Sequence, residues 1–454
     1  MAKFDKTELF ETVPVPKAVA KLAIPSVAAT LVMALYSLAD TYFVGLLNNP
    51  IETAAVTFAA PVILAFNAVN NLFGVGCSSK ISRALGEKDY ESAKVTAAFG
   101  FYGAIISGLI FSLVITIGEK FFLNLLGAAG DNITPTHNYL FWTVMLGAIP
   151  AILNVVMAQI VKSEGSAMHA AIGTMSGCLL NVVLDPVFIL PWGLNMGAAG
   201  AGCATFISNC VACLYYVVYL IVKRKTTIIS INPKDFRPNV SIVKDVCGVG
   251  IPASVQNLLN VTGMTILNNL MAQYGSEAVS AIGIAHKMAL IPMYIAMGMS
   301  QGVMPLVGYN FAAENRKRMN ETISFTFKLA AIITVVATLC YYIFAGDIVR
   351  LFMTNEKIVE YGTVFLRAQA LAIPFLNVDF LAVGVFQACG MGKRSLVFAI
   401  LRKIVLEIPA MIVLNHFFPM YGLAYAQLVS EVVLCVAGVV MMERMIKDGA
   451  GGSV

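Results

Sequence analysis

Charge is what this 454-residue sequence lacks: Asp, Glu, Lys and Arg together make up only 12% of it, about half the share of an ordinary soluble domain. The shortage is concentrated rather than spread. Thr53 to Ser79, Ala97 to Gly118, Leu140 to Val161, Pro186 to Val222, Val246 to Ser276 and Met288 to Ala313 contain none of the four. Each run exceeds the roughly 20 residues that a membrane-spanning helix needs. In a soluble protein one face of every such helix would have to meet water, so a soluble globular fold is excluded.

Catalytic furniture is scarce as well. The four histidines, His137, His169, His286 and His416, are scattered, and there is no HExxH, no Walker A motif and no Ser/His pairing at depth. The longest polar segment, Lys223 to Lys244, is far too short for a nucleotide-binding domain. An intramembrane enzyme and an ATP-driven pump are therefore disfavoured, and no cofactor is expected. The nine cysteines are odd in number and mostly lie within apolar stretches, which argues against a disulfide framework. Cys210 and Cys213 have CxxC spacing, but no His lies nearby, and they read as small helix residues rather than a redox or metal pair. The first 21 residues hold four lysines and two prolines and no apolar stretch with a cleavage-like site, so no signal peptide is expected. The net charge of +5 reflects loop charges rather than affinity for nucleic acid.

What is present is a series of about twelve apolar segments, roughly 18–47, 53–80, 94–118, 138–161, 167–190, 196–222, 245–273, 278–310, 319–345, 359–389, 395–415 and 421–444. With a cytoplasmic N-terminus, 25 of the 30 Lys and Arg fall in or beside cytoplasmic ends and loops. This is the positive-inside pattern, and it puts both termini in the cytoplasm. An all-α integral membrane protein of the plasma membrane follows: an N-terminal six-helix lobe (1–222), a cytoplasmic linker (223–244) and a C-terminal six-helix lobe (245–454).

The halves echo one another at an offset near 227. Leu22-Ala23-Ile24-Pro25 recurs as Val249-Gly250-Ile251-Pro252, and Gln159 matches Gln387. Val183-Leu184-Asp185-Pro186 resembles Val405-Leu406-Glu407-Ile408-Pro409, and Met196-Gly197-Ala198-Ala199 resembles Tyr421-Gly422-Leu423-Ala424. Six is an even number, so both repeats keep one orientation. Two pseudo-symmetric bundles rocking around a central cleft are the simplest alternating-access device of this kind.

A charged side chain at mid-membrane costs at least ~2.5–3.5 kcal/mol on insertion scales and is a functional candidate by default. Asp40 lies about 28 Å along the first helix from Lys21, and Asp185 about 31 Å along the fifth from Glu164, at ~1.5 Å per residue. Both should sit at similar depth in the outer half of the first bundle. Tyr36 precedes Asp40 by one turn and Asn181 precedes Asp185 by one turn, so each shares a face with its acid. Thr205 in the sixth helix can reach the same level. Two acids in a poorly solvated pocket cannot both ionise comfortably, and the neutral oxygens beside them suit a bound Na⁺ or a protonated pair. The blander reading is that Asp185 marks a helix end before Pro186 while Asp40 faces an external loop.

Several stretches resemble the multidrug and toxic compound extrusion (MATE) family along nearly the whole chain. They are Ile24-Pro25 with Ala39-Asp40-Thr41-Tyr42-Phe43-Val44-Gly45, Gln159 through Met168, Asn181-Val182-Val183-Leu184-Asp185-Pro186, and Gln301 through Asn310. Lys162-Ser163-Glu164-Gly165 and the Asn-x3-Asp-Pro pair resemble its bacterial MepA-like and DinF-like branch. The resemblance implies proton or sodium binding at Asp40, Asn181, Asp185 and Thr205, with no resident metal. It suggests a kink at Pro25 that straightens when Asp40 changes charge; a fixed kink is the alternative. Glu164 and Asn154 are secondary candidates. In the second half Asp379 falls where NorM-like relatives carry a cation-site acid, but Asn260 stands where their Glu would be. An Asp379–Lys287 ion pair competes with a cation role there, and Glu407, close behind Arg402 and Lys403, is expected to form a structural ion pair. Antiport of organic cations against H⁺ or Na⁺ by a monomer is expected; a flippase of lipid-linked or polyanionic substrate is the alternative, and it would need basic residues deep in the cleft.

Overall fold

The computed structural model describes residues 7–47, 49–128, 130–352 and 355–447, with no strand among them. After a short helix at Thr7–Glu11, twelve long helical segments follow. The first six are α1 (Val15–Gly45), α2 (Pro50–Gly86), α3 (Tyr90–Ile117), α4 (Gly130–Met145 with Ala148–Ser163, bent by 45°), α5 (Ala167–Ile189) and α6 (Ala198–Val222). The second six are α7 (Val240–Ala272), α8 (Ser276–Ala312), α9 (Arg316–Arg350), α10 (Glu356–Ala388), α11 (392–417) and α12 (Tyr421–Lys447). All twelve expected segments are present. Among the described residues nine helices are long and apolar enough to cross a membrane, and α4 makes ten if its two arms form one span. The other two, α7 and α11, carry the polar residues: Gln256, Asn257, Asn260, Asn268 and Asn269 in one, and Arg402, Lys403 and Glu407 in the other.

Outward faces are apolar. Along α3, Ile106, Leu109, Ile110, Leu113 and Ile117 are exposed at the three-and-four spacing of one helix face, as a helix in hydrocarbon requires. The same helix turns Gly100, Ala104 and Gly108 inward, where the missing side chains let neighbours approach. A Cβ on Gly108 would lie 2.7 Å from the Ile149 backbone.

The chain forms two compact units. One contains Met1–Val13 and Ala28–Ser254, the other Pro14–Val27 and Val255–Val454. Residues 223–244 thus lie within the first unit, and α1 and α7 each pass from one unit to the other partway along. The passage falls two residues after Pro25 in α1 and two after Pro252 in α7. Both helices run on through their prolines without a break.

Three helices are locally unwound to π geometry, at Asn71–Val75 in α2, Phe141–Met145 in α4 and Leu401–Glu407 in α11. A π turn shifts the ladder by a residue and leaves carbonyls to be satisfied from elsewhere. Ser254 Oγ donates to the Ala68 carbonyl just before the first of these, and Ser112 Oγ donates to the Met145 carbonyl at the end of the second. Around the first, the opening half of α7 lies so close that a Cβ on Gly250 would sit 2.1 Å from the Leu72 carbonyl oxygen, whereas Gly248 has open space. Overpacking of this kind against rigid backbone costs ~1–3 kcal/mol or more. Gly250→Ala should lower the melting temperature of the purified protein by several degrees, while Gly248→Ala leaves it unchanged or raises it; equal melting temperatures would contradict the packing described.

Candidate functional site

Within the first unit, α1, α4, α5 and α6 bring a set of polar side chains to one place. Asp185 on α5 is fully buried and Asn181, one turn earlier, is 1% exposed. Proline 186 does not end the helix, which continues to Ile189, so Asp185 is an interior residue of α5. Pro186 has no N–H to offer the Val182 carbonyl one turn back, which adds a backbone oxygen to the oxygen-rich surroundings. In the amide orientation that satisfies every neighbour, Asn181 Nδ2 donates to Asp185 Oδ2 at 2.8 Å. Its Oδ1 accepts from the Thr205 backbone N–H at 3.0 Å and from Thr205 Oγ1 at 3.2 Å. Asn181 is therefore a clasp that fixes both the carboxylate and the Thr205 hydroxyl.

Asp40, half-buried on α1, lies within electrostatic reach of Asp185. Tyr36 faces both acids and shares a hydrogen bond with the Thr205 side chain. The structure thus brings together all five residues expected from the sequence: Asp40, Asp185, Asn181, Thr205 and Tyr36. It adds a sixth. Tyr139 on the first arm of α4 is 6% exposed and interacts electrostatically with both Asp40 and Asp185. It lies on the regular helical arm that precedes the π turn and the break at Leu146-Gly147, where a Cβ on Gly147 would collide with the Trp142 carbonyl. The Gly residue between two apolar arms was the available signal, but nothing in the sequence pattern told which tyrosine would face inward.

Of the secondary candidates, Asn154 donates from Nδ2 to Asn209 Oδ1 at 3.1 Å, and Asn209 is one turn beyond Thr205. This extends the polar track along α6. Glu164 is elsewhere. Fully buried, its carboxylate accepts from Ser166 Oγ and Tyr219 Oη at 3.0 Å each, from Thr227 Oγ1 at 2.7 Å and from the Ile228 N–H at 3.2 Å. Four donors converge on one acid, so Glu164 fastens the segment after α6 to the end of α4.

The second unit holds a different arrangement. Arg402 bridges Asp379 at 2.9 Å and Glu431 at 2.7 Å, and Lys403 pairs with Glu407 at 2.7 Å. Every member is less than a tenth exposed, and His286 lies within electrostatic reach of Lys403 and Glu407. The expected Asp379–Lys287 pair does not form, because Lys287 points outward from α8 and is exposed. The π turn of α11 is the reason: it turns Arg402 and Lys403 inward together. Glu407 does form the ion pair expected of it, with Lys403. Asn260 is half-buried and makes no side-chain hydrogen bond to the cluster. Glu431 was not anticipated; a Glu within the apolar stretch of α12 gave no hint that its partner would be Arg402.

The two units therefore treat buried acids in opposite ways. In the second the acids face guanidinium and ammonium groups. In the first, Asp40 and Asp185 face neutral oxygens and an amide among the described residues, a donor set that suits a single proton or a monovalent cation.

The MatE family model matches residues 25–187 and again 252–413. The two matches begin 227 residues apart, the offset at which the motifs repeat. This chain belongs to the MATE family. It is 32% identical over 447 residues to the multidrug export protein MepA of Staphylococcus aureus (strain MRSA252), covering 98% of this chain and 97% of that one. It is 32% identical over 425 residues to MepA of Staphylococcus haemolyticus, covering 93% and 92%. Among solved structures, an outward-facing multidrug resistance MATE transporter of the MOP superfamily matches at TM-score 0.92 and 26% identity, over 99% of both chains. A MOP superfamily transporter from Pyrococcus furiosus, described as having a binding pocket of reversed polarity, matches at TM-score 0.90 and 25% identity. The MATE chain is thus an integral membrane protein whose MepA-like relatives cover it almost end to end.

Removing one partner of a buried ion pair costs ~3–5 kcal/mol, because the other charge is left without compensation. Arg402→Met should therefore reduce the yield of folded, monodisperse MATE protein and lower its melting temperature by more than 5 °C, on the order expected from that cost. The double substitution Lys403→Met/Glu407→Met, which removes both partners, should be milder. A full-strength effect of the second and none of the first would refute the assigned pairing.

Proposed function

We propose that this MATE protein is a multidrug exporter that expels organic cations in exchange for H⁺ or Na⁺, with the exchange seated at Asp40 and Asp185. The observation that carries the reading is the pairing of two carboxylates from α1 and α5 that, among the described residues, meet Asn181, Thr205, Tyr36 and Tyr139 and no basic side chain. In a bilayer a charge so placed is expensive unless something positive shares the site. A proton or Na⁺ supplies that compensation in one state and is released in another. A cationic cargo that favours the deprotonated site is then linked to the ion by differential affinity for the two states, which is all that antiport requires.

In this reading Asn181 holds Asp185 in position, and Tyr36, Thr205 and Tyr139 offer neutral oxygens to the coupling ion. Pro25 is the conformational hinge of α1. Both termini face the cytoplasm, the plasma membrane is the site of action, and the protein works as a monomer without a cofactor. A flippase for polyanionic cargo is disfavoured because the deep bases of the second unit, Arg402 and Lys403, are both spent on carboxylates.

Ethidium efflux from cells should drop roughly tenfold or more in Asp40→Asn and in Asp185→Asn, as expected for loss of a charge that the coupling ion must balance, at unchanged protein level. Tyr139→Phe should retain part of the activity. Undiminished export by both aspartate variants would reject the assignment. Purified protein in vesicles, energised either by a pH gradient or by a sodium gradient, decides the ion: uptake driven by one and not the other identifies it, and uptake driven by neither overturns antiport.

A further inference from the structure

At the end of α6 and the start of α3 the first unit has a cavity of about 980 Å³ that the exchange site does not use. Its position is interfacial: α3 begins at Tyr90 and α6 ends at Val222, so the apolar spans give way to polar chain here. The walls divide by chemistry. Leu220, Ile221, Ile228 and Ile229 provide apolar surface, while charged residues from the α2–α3 turn and from the segment after α6 provide the rest.

By formal charge the polar side is balanced, with Lys88, Lys94 and Arg224 against Asp89, Glu91 and Asp235. The acids, however, are already engaged. Asp89 accepts from the Ser92 N–H at 3.0 Å as the N-cap of α3, Asp235 accepts from Ser230 Oγ at 2.5 Å, and Glu91 pairs with Lys94 at 3.8 Å. Lys88 and Arg224 have no carboxylate partner among the described residues. The backbone that carries the exposed Lys88 side chain is fixed. It has φ +61°, and the turn around it is closed by Lys88 N–H to the Leu85 carbonyl and Asp89 N–H to the Ala84 carbonyl. The segment opposite is fixed too, by Glu164 on Thr227 and Ile228 and by Tyr102 Oη donating to the Ile231 carbonyl at 2.8 Å. The backbone on both sides of the cavity is therefore fixed by hydrogen bonds, and, with formal charge balanced, the Lys88 ammonium and Arg224 guanidinium keep their donors free of any carboxylate among the described residues.

An apolar wall joined to two uncommitted cations at the membrane–water boundary matches an amphiphile with an anionic head. We propose that this cavity binds an anionic phospholipid of the adjacent leaflet, its phosphodiester between Lys88 and Arg224 and the first part of an acyl chain against Ile221, Ile228 and Ile229. The bilayer supplies such a ligand at high local concentration, and basic groups near a membrane surface attract it. The inference is independent of which ion or cargo the transporter moves.

The test is native mass spectrometry of the full chain released from detergent, titrated with phosphatidylglycerol, with phosphatidylethanolamine and with glycerol phosphate. Three proteins are compared: wild type, Lys88→Gln/Arg224→Gln, and the control Lys393→Gln/Arg394→Gln, which removes the same charge from exposed positions elsewhere. Wild type and control should each retain one phosphatidylglycerol in preference to phosphatidylethanolamine, and the Lys88/Arg224 variant should bind it roughly tenfold more weakly. Equal retention by wild type and the Lys88/Arg224 variant overturns the site. Equal retention of the two lipids by wild type overturns its preference for an anion. Displacement of phosphatidylglycerol by an equal concentration of glycerol phosphate overturns the lipid assignment in favour of a soluble phosphate.

Discussion

Everything in this fold answers to one constraint: inside a bilayer there is no water to receive a polar group, so each one must find its partner within the protein. The clasp of Asn181 on Asp185 and Thr205 is the plainest instance. One amide satisfies a carboxylate on its own helix and both the hydroxyl and the backbone N–H of a neighbouring one. The serine hydroxyls that find the carbonyls beside the π turns of α2 and α4 obey the same rule. Helix irregularities are tolerated where such partners exist, and the irregularities in turn aim side chains that a regular helix would point elsewhere. Arg402, inside the π turn of α11, is a case in point.

Much of this was legible from the sequence, and the reason is depth. Counting residues along an apolar helix measures distance across the membrane, so Asp40 and Asp185 could be set at one level before any coordinates, and their one-turn neighbours Tyr36 and Asn181 came with them. The twelve segments followed from length and apolarity alone. What could not be read was rotation about each helix axis where the winding changes. Lys287 looked a fair partner for Asp379 by depth but faces the other way, while Arg402 reaches it because seven residues of α11 adopt π geometry. Glu431 and Tyr139, both in regular α-helical stretches, were missed because depth along a helix is written in the chain, whereas azimuth toward a neighbouring helix is not.

A common ancestral half has been put to two uses. Asp185 and Glu407 occupy related places in the repeat, each near a proline, yet one is surrounded by neutral oxygens and the other meets an ammonium group. Buried ion pairs are poor sources of net stability, since desolvation offsets most of the attraction, but they hold neighbours in a defined register. In the second unit Arg402 ties α10 to α12 in this way. In the first, Asp40 and Asp185 have no basic side chain as a partner among the described residues.

The sharing of α1 and α7 between the units bears on how such a duplicated chain can be divided. Neither unit is an unbroken stretch of sequence: the backbone crosses between them after Val13, after Val27 and after Ser254. A nick in the polar stretch at 223–244 would separate two fragments, yet each would still contain a piece belonging to its counterpart's unit. The ancestral half-gene and the folded unit are thus different objects, and neither product of a midpoint split carries a complete unit of its own.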